Sequence, residues 1–219
     1  MTGTGRTAVG AAALATAALV AMQPATARAE VEISLYTGFQ GAMDSDVSRS
    51  GAGSEDISWD GRSFDMPPYY GIRATWWRPD GWGFGAEVNH AKIYAKDAED
   101  HGYETLEFTD GINFVTANVF YRWQDRWAGW TPYVGGGLGI SVPHVEVTPV
   151  GGSDTFEYQV TGPVVQAVAG VSRPVSEHWA VFAEYKGTWS DHEADLEDDE
   201  TLKTEIVTHA VNIGVSYRF

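Results

Sequence analysis

Eight stretches of this chain alternate apolar and polar side chains one residue at a time, and that period of two dictates extended strands with two chemically different faces. The last stretch shows it most plainly. Val211, Ile213, Val215, Tyr217 and Phe219 fall on one face, and Asn212, Gly214, Ser216 and Arg218 on the other. The first, Val31–Gly41, sets Val31, Ile33, Leu35, Thr37 and Phe39 against Glu32, Ser34, Tyr36, Gly38 and Gln40. Tyr69–Trp77, Trp82–Lys96, Ile112–Trp123, Pro132–Val147, Thr155–Ser172 and Trp179–Trp189 repeat the pattern, and the eighth stretch opens at Ile206.

Strands of about 10 to 15 residues suit a tilted crossing of the apolar band of a bilayer. The connections after stretches 1, 3, 5 and 7 are long or acidic, and those after 2, 4 and 6 are shorter. The expected fold is therefore all-β: an eight-stranded antiparallel transmembrane up-and-down β-barrel, with long loops outside the cell. Because only alternate residues meet lipid, the slightly negative mean hydropathy is no objection. Trp76, Trp77, Trp82, Trp123, Trp127, Trp130 and Trp179 lie near the expected periplasmic turns, as an interfacial aromatic girdle would. A soluble sandwich would instead bury its tryptophans between two sheets.

The N-terminus reads as a cleaved secretory signal. Arg6 precedes an Ala/Val/Leu-rich run to Met22, and Ala27-Arg28-Ala29 gives a small-x-small cleavage site. Residues 1–29 are thus the expected signal peptide and 30–219 the barrel, exported to the outer membrane of a Gram-negative cell. Cleavage removes Arg6 and Arg28 and takes the net charge from −16 to about −18, which excludes nucleic acid as a partner. The absence of cysteine excludes a disulfide framework and a Cys-ligated iron–sulfur cluster.

Glu32, Arg73, Glu87, Arg122, Glu184, Lys186 and Arg218 take the inward parity, with Asn89, Asn118, Gln166 and Asn212. A lumen of eight strands is just wide enough for side chains to fill it, so opposite charges there read as a plug before they read as an ion path. Most of the 30 carboxylates fall in the outer loops, densest from Asp191 to Glu205. A charge run of this kind is usually a solvated surface, though hard oxygen ligands also suit divalent cations.

One outer hairpin concentrates chemistry. If Gly151-Gly152 is its turn, His144 pairs with Gln159 and Glu146 with Glu157, all four on the lipid-facing parity. Two glutamates directly opposite call for a shared proton, a cation or a basic partner. His90, Lys92 and His209 take the same parity near the outer ends of their strands. This reads as a lateral site, with His144 as acid/base, Glu146 and Glu157 as proton or metal ligands, and Gln159, His90, Lys92 and His209 contacting substrate. An exposed hairpin with ordinary polar residues is the plainer reading, and a bulge at Pro143 would reverse the parity.

Several segments are more specific than a generic barrel: Ser34-Leu35-Tyr36-Thr37-Gly38-Phe39-Gln40, the run Trp59–Gly71, Asn89-His90-Ala91-Lys92, Leu106–Gly111, Pro143-His144-Val145-Glu146-Val147 and Phe156-Glu157-Tyr158-Gln159. Together they resemble the lipid A oxidase group of small outer-membrane barrels over essentially the whole mature chain. The resemblance implies oxidation of the proximal glucosamine of lipid A to 2-aminogluconate with O₂ as co-substrate, and lipopolysaccharide as partner. It supplies no established set of reacting residues. No flavin or nicotinamide fingerprint is present, so a divalent or transition metal is the cofactor class that His and carboxylate donors suit. The terminal strand also resembles the pattern that implies recognition by the barrel-assembly machinery. A non-catalytic surface barrel of the OmpX type, serving envelope integrity or adhesion, is the alternative.

Overall fold

The computed structural model describes residues 29–124 and 126–219; the expected signal segment, save Ala29, lies outside them. Eight long strands form the barrel: β1 Glu30–Ala42, β2 Tyr70–Trp77, β3 Trp82–Ala95, β4 Tyr103–Arg122, β5 Thr131–Pro149, β6 Gly162–Pro174, β7 Trp179–Asp195 and β8 Thr201–Arg218. Each pairs antiparallel with the next, and β8 returns to β1 from Glu32↔Arg218 to Ala42↔Thr208, so the sheet closes and leaves no edge.

Alternation decides which face meets what. Val31, Ile33, Leu35, Ile72, Val88, Val115, Val119, Leu138, Ile140, Val165, Val211 and Ile213 are exposed on the outside. Their neighbours in sequence turn into a polar lumen. There Arg73 donates to Glu87 at 3.3 Å and to Glu184 at 2.8 Å, and Lys186 pairs with Glu87. The Tyr36 hydroxyl donates to Glu87 and that of Tyr133 to Glu184, each at 2.7 Å, and Asn212 Nδ2 donates to Glu184 at 3.2 Å. Each of these four charges is matched and hydrogen-bonded, which is what makes burial tolerable in a low dielectric. Toward the periplasm Arg122 pairs with Glu30, and Arg218 with Glu32 at 2.9 Å. A void of about 20 Å³, the space of a single water, remains at that end between Arg73, Trp77 and Tyr133.

Inward glycines take the flat face of an aromatic ring from the neighbouring strand. A Cβ on Gly71 would overlap the Tyr36 ring, and one on Gly135 the Phe120 ring. Small and large residues alternate across the strands so that the narrow lumen packs closely.

Outside the membrane the scheme inverts. Ile57, Trp59, Ile93, Leu106, Phe108, Ile112, Val145, Val147, Leu202 and Ile206 point inward and are buried together, capped by the hairpin Ser45–Arg49/Gly53–Ile57, which pairs with β8. The strands extend to carry this second core. β4 begins at Tyr103, nine residues before the expected start; β7 runs on to Asp195 and β8 opens at Thr201. Much of what reads as acidic loop is therefore strand, with Asp191, Glu193 and Asp195 outward and His192 and Ala194 inward. The expected sixth strand is two pieces, Thr155–Tyr158 beside β5 and β6 proper.

At the periplasmic end Trp76, Trp82, Trp123, Trp127 and Trp179 are exposed outward, and edge-on pairs such as Trp82–Tyr121 and Trp179–Tyr217 link them into a girdle. Trp77 departs from it. It lies inside the barrel, with the Arg122 guanidinium 4.4 Å over its ring.

Candidate functional site

The outer ends of β3, β4 and β5 bring most of the expected lateral residues to one flank. Tyr94, Glu107, Glu146 and Phe156 form a row of successive partners across β3, β4, β5 and the short strand Thr155–Tyr158. One level nearer the membrane His90 stands opposite Asn113 and Asn113 opposite Val142. His90 Nδ1 lies 3.0 Å from Asn113 Oδ1, and its ring stacks on Tyr70 at 5.2 Å. His144 stands between these levels, opposite Tyr158, with the edges of Phe156 and Tyr158 at 4.2 and 4.7 Å. His90 and His144 are each only 4% exposed.

The register of the hairpin corrects the sequence reading. The turn is Pro149–Gly152, closed by Gly152 N–H to Pro149 O at 2.9 Å, and Gly151 supplies the positive φ of 73°. Val150-Gly151, not Gly151-Gly152, is its centre, so pairing slips by one residue. Glu146 meets Phe156, Val145 meets Glu157 and His144 meets Tyr158. A one-residue slip turns a side chain to the opposite face. Glu157 accordingly leaves the group and shares a concavity with Asp195, Glu197 and Asp199. Gln159 becomes a clasp, donating to Asp195 O at 2.7 Å and accepting from Asp195 N–H at 2.8 Å. His209 sits opposite Gly41 and Gly187, with β1 and β2 between it and β3.

An acidic pair does form here, with a different member. Glu107 of β4 is the direct partner of Glu146. Partial burial, followed by the Glu146 charge, pushes the Glu107 carboxyl above the usual carboxylate range, while Arg62 and Lys92 pull it back. Those two cations are held by the segment after Trp59-Asp60, itself paired with β3. The Arg62 guanidinium lies 4.2 Å over the Tyr94 ring. Lys92 is buried, with Nζ donating to Asp65 O at 3.2 Å and its backbone N–H to Gln40 Oε1 at 3.0 Å. Sequence reading missed Glu107 because it fell inside an acidic run taken for loop, and Arg62 because only tertiary folding brings it across. Leu106 and Phe108 flank Glu107 with apolar side chains, the pattern that marks it as strand.

Two carboxylates that repel, one of them inclined to keep a proton, can exchange protons with a ligand. Arg62 and Lys92 add positive charge beside them, and the aromatic walls suit the apolar face of a sugar ring. Among the described residues no three of His, Asp or Glu converge as a metal-ligating group.

A closed eight-stranded barrel with a sealed polar lumen, a greasy outer band and an aromatic girdle is an outer-membrane protein. The chain belongs to the outer membrane protein beta-barrel domain family, whose model matches residues 11–219. It is similar in fold to Neisserial surface protein A, at 17% identity over 87% of this chain and 97% of that one, with a TM-score of 0.50. It is also similar to the outer membrane protein AlkL, as determined in lipid bilayers by solid-state NMR, at 14% identity over 91% and 94% of the two chains, with a TM-score of 0.57. No significant match is found among curated proteins.

Proposed function

We propose that this barrel engages lipid A of the outer leaflet from the membrane side and oxidises its proximal glucosamine to 2-aminogluconate. The observation that carries the reading is the group of Glu107, Glu146, His90, His144, Lys92 and Arg62 gathered just beyond the apolar band on the β3–β5 flank. The lumen, by contrast, is filled by its own ion pairs. Arg62 takes the anionic head group, Phe156 flanks the sugar, and the Glu107–Glu146 pair accepts and returns protons.

Oxidation of the C1 lactol removes the C1 hydrogen with two electrons and the hydroxyl proton. O₂ takes the C1 hydrogen with both electrons and becomes hydroperoxide, a carboxylate relays the hydroxyl proton to it to give hydrogen peroxide, and water opens the lactone to the acid. The chain's residues bind, orient and move protons in this scheme; O₂ is the electron acceptor. Export by a signal cleaved after Ala29, and insertion through the assembly machinery by way of the terminal strand, belong to the same reading.

The test is mass spectrometry of lipid A from a host that lacks the modification, with and without the gene. An added oxygen on the proximal sugar supports the reading, and unchanged lipid A refutes it. A non-catalytic surface barrel is the second reading. The apolar core above the membrane favours it, because it stiffens a projecting acidic surface suited to adhesion.

A further inference from the structure

The outer boundary of the apolar surface is not at one height around the barrel. On β7 and β8 it stops early, since above Trp189 the outward residues are polar: Asp191, Glu193, Asp195 and Glu205 are exposed, with Lys203 paired to Glu193 at 2.9 Å. Across the next connection the same level is apolar. Glu193 N–H donates to Thr161 O at 2.9 Å and Asp195 N–H to Gln159 Oε1 at 2.8 Å, which places Val160 beside these acids. Val160 is nonetheless 67% exposed, and Tyr158 and Phe156 continue the exposed ladder upward from Leu138 and Ile140 of the band.

A second apolar prong stands on the other side of the polar group. Phe39 of β1 meets Phe64 edge-on at 4.9 Å, and Met66 beyond it is 82% exposed. This prong is built, not trailing. Ser63 Oγ accepts from Gln40 N–H at 2.8 Å and donates to Gln40 O at 3.1 Å, and Tyr69 N–H donates to Ser63 O at 2.8 Å.

We infer that Phe64/Met66 and Tyr158/Val160 are two membrane-embedded prongs that enter the acyl layer of the outer leaflet on either side of the His90–Glu146 group, with Phe156 at the head-group level. The occupant is lipid acyl chain because Phe64 packs on Phe39 of the greasy band and Tyr158 and Val160 follow Leu138 and Ile140, with exposed Asp65 the one acid between Phe64 and Met66, whereas on β7 and β8 a row of acids borders the band. Large exposed apolar groups contiguous with a bilayer face are stable in lipid and costly in water. The barrel therefore sits deeper on its β3–β5 flank, which draws the polar group down into the head-group layer. An amphiphile with acyl chains on both sides would seat its polar part there. This inference goes beyond the proposed chemistry and stands without it.

Single cysteines are clean probes because the chain has none. The full chain, carrying Met66→Cys, Tyr158→Cys or Glu193→Cys with an environment-sensitive fluorophore, is reconstituted in phosphatidylcholine vesicles containing acyl-chain nitroxide lipid. Probes at 66 and 158 are expected to be quenched at least twofold more than the probe at 193, and to be shielded from aqueous iodide. Quenching at 66 or at 158 no greater than at 193 overturns the two-sided arrangement. The readout needs no turnover, so embedded prongs with unmodified lipid A would sink the enzymatic reading alone, and modified lipid A with unembedded prongs would sink this one alone.

Discussion

Glu107 and Glu146 stand directly opposite each other on β4 and β5, with Tyr94 beyond one and Phe156 beyond the other. Two like charges at cross-strand distance are destabilising by a few tenths of a kcal/mol to about 1 kcal/mol, less where water screens them. Arg62 and Lys92 beside the pair offset part of that repulsion, and the Glu107 carboxyl nonetheless stays raised.

Replacing one member should therefore strengthen the fold. Burial and Glu146 raise the Glu107 carboxyl, so the folded chain holds this proton more tightly than the unfolded chain. The resulting stabilisation is complete below the usual carboxylate range and is lost as pH rises through the raised value. At neutral pH Glu107→Gln should raise the denaturant midpoint of the barrel in lipid vesicles slightly, and the gain should vanish in mildly acidic buffer. A loss of stability at neutral pH would mean that the pair is held by a partner the carboxylate needs.

Arg73 is the opposite case. It satisfies Glu87 and Glu184 at once and lies 4.9 Å over the Phe120 ring. Arg73→Ala leaves two buried carboxylates with Lys186 as their remaining cation and should cost about 3–5 kcal/mol, read from unfolding midpoints in the same vesicles. Combining it with Glu184→Gln should recover much of that loss, since an unpaired buried charge is the main penalty. Equal losses in the single and double variants would place the cost in packing.

His192 sits in the apolar core above the membrane. Ser190 Oγ lies 2.8 Å from Nε2 and Thr161 Oγ1 2.8 Å from Nδ1, and Phe108 packs against the ring at 5.4 Å. Burial lowers its pKa from 6.5 to about 3. The unfolded chain thus binds the extra proton first; stability from this site is full above about pH 6.5 and falls as pH drops toward 3. Imidazole nitrogen shifts measured in lipid nanodiscs should show His192 neutral at pH 4.5, where a free histidine is charged. A protonated ring at that pH would mean that the outer core is open to water.

The membrane part of this fold was legible because lipid imposes a single rule on alternate residues, and Val31–Phe39 or Val211–Phe219 obey it with Thr37 the one polar outward residue. The outer part follows the same period with its chemistry reversed. Asp191-His192-Glu193-Ala194-Asp195 still alternates, but its outward residues are acids, so a search for outward grease reads it as loop. In β5 the apolar phase switches from Leu138 and Ile140 outward to Val145 and Val147 inward with no slip in that strand; the irregularity falls on β4, between Glu107 and Ile112. His90, Lys92, His144 and Glu146 could be placed on one face from parity alone. Their partners could not, because Arg62 arrives from a distant segment and one residue of turn geometry decides whether Glu146 meets Glu157 or Phe156.

The most direct measurement compares lipid A from a permissive host expressing the wild-type chain with lipid A from the same host expressing Glu107→Gln/Glu146→Gln at equal outer-membrane levels. If the outer flank of β3–β5 is where this protein acts, the wild type adds one oxygen to the proximal sugar and the double variant, folded and inserted, adds none. Oxidised lipid A in undiminished yield from the double variant would contradict the placement of the site.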